Sequence, residues 1–157
     1  MARTRDFVCR LDLFKSTDNK LRWDEDVDGI KFELYIPKWR VPEPVPPTIS
    51  ARAIDVSRID INEQLSPVQV RALYDAWLPE DEVREIDRCI PVVACRDPHS
   101  DQPIIAVVRL DRAHTQTVRY TPVGDDETWE LGQPYIPIAV LPDPYPTRLL
   151  MKVTWVY

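Results

Sequence analysis

The placement of proline restricts this chain more than any other feature of its sequence. Sixteen prolines are spread over 157 residues, against only three glycines. Such a composition favours strand edges, rigid turns and extended connections over flexible linkers. The densest run covers residues 37–47 and contains five prolines. Because proline lacks a backbone donor, we predict an extended polyproline II crossover here, and neither a central strand nor a helix.

Between the prolines, alternating apolar residues predict strands. The cleanest case places Ile30, Phe32, Leu34 and Ile36 on one face of a strand whose other face is solvated. The most apolar segments are expected to form a hairpin in the middle of a sheet. No internal repeat at a fixed period is apparent. The further predicted strands cover residues 7–14, 21–23, 49–54, 89–95, 103–110, 116–121, 135–140 and 149–157.

One stretch predicts a helix, over residues 66–78. Ser66 is a good N-cap, Pro67 suits the first helical position, and Gln69 completes a capping box with Ser66. Pro79 then ends the helix at the preceding residue. Most of the circumference is apolar, so we expect this helix to be buried among strands. A short second helix is predicted directly after Pro79, where acidic residues suit the first turn.

These elements predict an α+β, β-rich fold. We expect a mainly antiparallel sheet of about eight strands, packed around the main helix at 66–78 with the short second helix nearby. Residues 1–157 are predicted to form a single globular domain. A chain of this length can bury about 70% of its unfolded surface, so it needs no disulfide or metal for stability.

The net charge excludes some classes of partner. The chain carries −6 at pH 7, whereas binding to nucleic-acid backbones or anionic membranes needs a basic surface. An acidic surface suits solubility or a basic protein partner. The first residues do not form a signal peptide, and no apolar run approaches the roughly 18 residues of a membrane span. With three cysteines, an odd number, we predict free thiols and a cytoplasmic location.

Residues 24–30 contain the best match to a metal-binding motif. Asp24, Asp26 and Asp28 alternate and are followed by glycine, as in a loop that wraps a hard cation. The segment resembles the start of the EF-hand calcium loop, and the resemblance implies that these three aspartates are calcium ligands. It covers six residues, and the twelfth position holds Tyr35 where the family has glutamate. The alternative is an Asp-Gly hairpin turn between two strands.

A second candidate site consists of Asp97, His99 and Asp101. A histidine between two carboxylates can bind a metal or act as a base, so these are the candidate catalytic residues of a small metal-dependent hydrolase. The alternative is an exposed hairpin loop, where Asp, Pro and Ser serve the turn. Cys9 and Cys95 lie in apolar runs, which is typical of thiols that pack as small hydrophobic groups.

Lys38, Trp39 and Arg40 are the candidates for partner binding, because Trp and Arg are common anchors of protein interfaces. The alternative is a stiff crossover whose Trp39 packs back onto the sheet. No nucleophile elbow, phosphate-binding loop or dinucleotide motif is present. We therefore predict a non-enzymatic protein-interaction or assembly module that binds through sheet edges and this crossover. The metal-dependent hydrolase and the calcium loop are the alternatives.

Overall fold

The computed structural model describes residues 6–57, 97–123 and 129–157. Most of these residues belong to eight strands, and two three-residue 3₁₀ segments, Lys38–Arg40 and Ile138–Val140, lie between them. None of the helical segments in these ranges has the length and apolarity needed to span a membrane. The strands are β1 Asp6–Ser16, β2 Lys20–Val27, β3 Ile30–Pro37, β4 Thr48–Asp55, β5 Ile104–Ala113, β6 Thr117–Pro122, β7 Tyr135–Pro137 and β8 Arg148–Val156.

The eight strands form one closed antiparallel barrel. Around it the order is β1-β2-β3-β7-β6-β5-β8-β4, and β4 also pairs with β1. Eight residue pairs join β4 to β8, whereas β3 and β7 share the single pair Glu33–Tyr135. Because the sheet is closed, each of these eight strands has a neighbour on both sides, which removes the free edges of an open sheet.

The predicted α+β class is therefore wrong, whereas the predicted antiparallel, strand-rich structure is confirmed. The α+β prediction assumes an open sheet, which must cover its apolar face with a helix. A closed barrel buries its inner face with its own side chains instead. The helix predicted at 66–78, the second helix after Pro79 and the strand predicted at 89–95 lie outside the described residues.

Large and small side chains together fill the inside of the barrel, as a narrow barrel requires. Trp23 on β2 and Tyr120 on β6 are fully buried, and β4 contributes the small residues Ala51 and Ala53. Most strands thus present an apolar face inward. On β4, β8 and β5 the other face also carries buried apolar residues, Ile54, Leu150 and Val107, which pair with one another across the three strands. The remaining strand residues of this core are Leu11, Phe32, Leu34, Ile36, Ile49, Ile104, Val108, Val118, Ile136, Leu149, Met151 and Val153.

The barrel contains two copies of one four-stranded unit, β1 to β4 and β5 to β8. In each copy a 3₁₀ segment and an extended proline run follow the third strand and lead to the fourth. The copies also share sequence here, since Tyr-Ile-Pro at 35–37 recurs at 135–137. The prolines at 42, 44 and 46 recur at 142, 144 and 146. The expectation of no internal repeat is therefore corrected.

Backbone irregularities match between the two copies. The pairing of β1 with β2 shifts register between Leu13 and Lys15, and the pairing of β5 with β6 shifts between Leu110 and Arg112. Equivalent residues are thus 97 positions apart in the first two strands, as for Leu13 and Leu110, and 100 apart from the third strand onward. Because of this change of spacing, no single period relates the two copies over their whole length.

The two copies are arranged as a twofold-related pair. Exchanging them leaves the strand order unchanged, because β3 pairs with its equivalent β7 and β4 pairs with its equivalent β8. At the middle of the β4–β8 junction, Arg52 lies opposite its own equivalent, Lys152. Since β4 and β8 are antiparallel, the proline runs that precede them lie at opposite ends of the barrel.

One buried hydrogen bond fastens each proline run to the core. Trp23 Nε1 donates to the Pro46 carbonyl over 3.1 Å, and the Tyr120 hydroxyl donates to the Pro146 carbonyl over 2.7 Å. Trp23 and Tyr120 occupy equivalent positions in the two copies. Proline carbonyls still need donors although proline itself supplies none, so a buried aromatic N–H or O–H meets that need at each end.

Replacing Tyr120 with Phe should lower the free energy of unfolding by about 1–3 kcal/mol, because the Pro146 carbonyl loses its buried donor. Urea denaturation followed by circular dichroism measures the change. Tyr35→Phe is the matched control, since the Tyr35 hydroxyl lies on the outer wall, where its partners are the charged side chains of Glu33, at 3.5 Å, and Arg22. Equal losses of stability in the two variants would show that the Pro146 hydrogen bond does not anchor the proline run.

Candidate functional site

The three predicted partner-binding residues form the 3₁₀ segment that begins the first proline run. Lys38 is exposed, Trp39 is half-buried, and Arg40 is completely buried. A 3₁₀ segment has three residues per turn, so its successive side chains point in three different directions and one of them faces inward. Lys38 and Trp39 are thus accessible to a partner, whereas the Arg40 side chain is not.

Arg40 is an internal clamp between separate parts of the chain. Its Nε forms a buried ion pair with Glu130. Its two terminal nitrogens donate to the carbonyls of Ser100, over 2.8 Å, and Gln102, over 2.7 Å. The guanidinium also lies 5.8 Å from the ring centre of Trp155. These contacts hold the first proline run against the loop that precedes β5 and against the residues that precede β7.

The predicted hydrolase residues Asp97, His99 and Asp101 are not brought together. The His99 Nδ1 lies 2.8 Å from the Val41 carbonyl, and its Nε2 lies 3.6 Å from a carboxylate oxygen of Glu43. The imidazole therefore faces the proline run, while both aspartates are exposed in the loop. An acid–base or metal site needs these groups to converge on one point, and these three side chains do not form a metal-binding group among the described residues.

The predicted calcium segment forms the hairpin turn between β2 and β3. Asp28 and Gly29 have φ values of 53° and 85°, which is typical of two-residue hairpin turns. Asp26 accepts the Gly29 amide over 2.7 Å, and Asp24 pairs with Arg22 on the barrel wall. Within the described ranges, no three His, Cys, Asp or Glu side chains are grouped as a metal site requires.

Exposed apolar side chains gather at the end of the barrel that the first proline run closes. Five large hydrophobic residues are exposed in the described part of the chain, and only Val8 lies elsewhere, on the wall of the barrel. We term the other four the apolar patch: Leu13 (39% exposed), Phe14 (57%), Val45 (41%) and Tyr157 (69%). Isolated exposed apolar residues are ordinary, but their concentration at one end of a barrel is typical of an interaction surface.

Backbone contacts connect the apolar patch to the proline run. The Leu13 amide donates to the Pro47 carbonyl over 2.8 Å. The Tyr157 hydroxyl donates to the Pro44 carbonyl, also over 2.8 Å. Val45 lies between these two points of attachment. The patch thus combines the end of β1, the exposed side of the proline run and the last residue of the chain.

Among the described residues, the opposite end of the barrel has no such patch. The backbone described there is equivalent, so an apolar residue that this backbone requires should be present at both ends. At the opposite end, however, none of the equivalent side chains is an exposed large hydrophobic group. In the order Leu13, Phe14, Val45 and Tyr157, the equivalents are Leu110, Asp111, Tyr145 and Ser57.

A strip of aromatic and arginine side chains crosses the outer wall where the two copies meet. Tyr35 and its equivalent Tyr135 meet edge to face, with ring centres 6.4 Å apart. Arg22 and Arg119 flank this pair, and each has a carboxylate oxygen within 2.9 Å. Burial, and then the charge of Glu33, raises the pKa of the Tyr35 hydroxyl. Because both guanidinium groups are already paired with carboxylates, the strip is poorly suited to binding an anion.

Cys9 is half-buried on β1. Burial, with a smaller contribution from the charge of Glu25, raises the pKa of its thiol. The thiolate is the nucleophilic form, so a raised pKa makes Cys9 a weak nucleophile. This environment agrees with the interpretation of Cys9 as a strand residue. Cys89 and Cys95 lie outside the described residues.

Comparison with known proteins does not identify a family for this chain. No family model, curated protein or solved structure matches it. Its function must therefore be inferred from its own geometry and chemistry.

Sequence reasoning selected Trp39 but missed Val45 and Tyr157 as surface residues. The exposure of Val45 depends on which side of the proline run faces the barrel, and no local pattern gives that direction. Comparing the two Tyr-Ile-Pro segments would have supplied a signal, because Trp39 and Val45 correspond to Ala139 and Tyr145. A residue that changes between two copies of one backbone is not required by that backbone and needs another explanation.

Arg40→Met should lower the free energy of unfolding by about 3–5 kcal/mol, because the carboxylate of Glu130 would stay buried without its partner. Chemical denaturation measures this change. Arg119→Met is the matched control, since the Arg119–Asp111 pair lies at the surface and its loss should matter far less. If both variants are equally stable, Arg40 is not the internal clamp.

The raised pKa of Cys9 predicts slow, strongly pH-dependent reaction with dithionitrobenzoate. In a Cys89→Ser/Cys95→Ser variant only Cys9 reacts. For the folded protein the rate should keep rising at pH values where the thiol of the urea-unfolded chain is already fully ionised, because the folded-state pKa is higher. The same midpoint in both states would contradict a raised pKa.

Proposed function

We propose that this protein is a non-enzymatic interaction module that binds a protein partner at the end of the barrel closed by the first proline run. The observation that carries the proposal is the apolar patch, which has no counterpart among the described residues of the equivalent end. The binding surface comprises Lys38, Trp39 and the patch. Sheet edges are no longer part of the proposal, because the closed barrel pairs the edges of its eight strands.

The second copy supplies an internal control for this surface. Its equivalent of Trp39 is Ala139, and that copy still forms its 3₁₀ segment and its proline run. An aromatic side chain at this position is therefore not a requirement of the backbone. Half-exposed Trp39 is better explained as a contact residue, since tryptophan is enriched in interface hot spots.

Rigidity favours binding at this end. Proline fixes φ along the run, and the buried contacts of Arg40 and Trp23 hold the run to the rest of the chain. A surface that is already ordered loses little conformational entropy when a partner binds. The proline run therefore presents Val45 in a fixed position, as an interaction surface requires.

Two alternatives have less support. A metal-dependent hydrolase would use Asp97, His99 and Asp101, but His99 faces the proline run and both aspartates face solvent. A calcium loop would use Asp24, Asp26 and Asp28, but these residues belong to a tight hairpin. The cytoplasmic location and the single domain remain predictions.

Val45→Ser and Trp39→Ala should each weaken partner binding by about tenfold, because each removes apolar contact area worth about 1.5 kcal/mol or more. The tagged 157-residue chain is used to purify proteins from extracts of its native source, and retained proteins are quantified by mass spectrometry. Thermal unfolding of each variant checks that the fold is intact.

Val8→Ser is the matched control for Val45→Ser, because it makes the same chemical change at an exposed valine outside the apolar patch. A protein retained by the wild type and by Val8→Ser, but lost from the Val45 and Trp39 variants, supports the proposal. If no protein shows this pattern, the patch is not the binding surface and the proposal fails.

A further inference from the structure

The charges around the apolar patch are mostly negative. Exposed residues at this end of the barrel, in the described ranges, include only two bases, Lys15 and Lys38. Two further strong bases at this end are less accessible: Lys20 is partly buried at the start of β2, and Arg40 is buried and paired with Glu130. Five acidic side chains are exposed around the same end: Asp12, Asp18, Glu43, Asp97 and Asp101.

The second copy shows that part of this negative charge is not required by the shared backbone. Asp12 corresponds to Arg109, and Asp18 corresponds to Thr115. Asp97 and Asp101 lie in the loop before β5, and the residues that precede β1 in the first copy lie outside the described ranges. Only Glu43 keeps its charge, as Asp143. We term these five acidic residues the acidic rim. The rim lies at the same end of the barrel as the apolar patch, and two of its members, Asp12 and Asp18, are not acidic in the second copy.

We propose that the partner docks through an apolar segment flanked by lysine or arginine residues. This inference rests on the proposed function and specifies the chemistry of the partner. Apolar side chains of the segment would cover Val45 and Tyr157, and its basic residues would face the acidic rim. Opposite charges around an apolar centre increase the association rate and exclude acidic competitors, and the net charge of −6 adds to this attraction.

The probes are three fluorescent 12-residue peptides composed of lysine and leucine, glutamate and leucine, or lysine and serine. Binding to the 157-residue chain is measured by fluorescence anisotropy at low and high NaCl concentration. The lysine–leucine peptide should bind tightest and should weaken as salt increases, because exposed charges are screened. Val45→Ser should also weaken its binding, which places the peptide on the apolar patch.

The local charge is tested with Asp18→Asn/Glu43→Gln, which should bind the lysine–leucine peptide about fivefold more weakly than the wild type. The control Thr115→Lys/Asp143→Asn makes the same change in net charge at the equivalent positions of the other end and should leave binding nearly unchanged. Equal weakening in the two double variants would show a general effect of net charge, and it would overturn the inference.

The outcomes separate this inference from the proposed function. If the glutamate–leucine peptide binds at least as tightly and is sensitive to Val45→Ser, the patch binds apolar segments without preferring basic ones, so only this inference fails. If the lysine–leucine peptide does not bind, or if the lysine–serine peptide binds equally well, the basic apolar segment is also refuted. The proposed function itself fails if no native protein is retained by the wild type and Val8→Ser but lost from the Trp39 and Val45 variants.

Discussion

Pairing between β4 and β8 is the interaction on which the rest of the structure depends. It joins the two four-stranded copies through eight residue pairs, and Arg52 lies opposite its equivalent Lys152 at the middle. The other junction between the copies, β3 with β7, contains a single pair. Closing the barrel through both junctions gives each strand two neighbours and lets its inner face be filled by its own side chains.

The twofold arrangement turns each half of the chain into a control for the other. Features shared by both halves are those that the barrel needs, such as the aromatic donors Trp23 and Tyr120 that hold the proline runs. Features present in one half alone need another explanation. Arg40 and Trp39 are of this second kind, and they correspond to Val140 and Ala139. Arg40 is explained by its buried clamp, and Trp39 by the proposed contact surface.

Local patterns predicted individual strands well but did not predict how they assemble. The alternation from Ile30 to Ile36 gave both the strand β3 and its buried face, because side chains alternate along any strand. The Asp28-Gly29 turn was predicted as an alternative to the calcium loop, because two-residue hairpin turns need positive φ and Asp-Gly adopts it readily. Nothing local distinguishes a strand of an open sheet from a strand of a closed barrel, and for that reason the α+β prediction failed.

The sequence by itself determined the antiparallel strands, the acidic net charge and the extended proline run after Arg40, because each depends on neighbouring residues or on composition. The 3₁₀ segment Lys38–Arg40, within the range predicted as extended, was not predicted. Only the tertiary structure decided that the barrel closes, that Arg40 points inward, and that Val45 and Tyr157 are exposed at the same end. These features depend on contacts between residues distant in sequence, such as Tyr157 with Pro44. The direction of a side chain at the end of a barrel is set by those contacts and not by its neighbours in the chain.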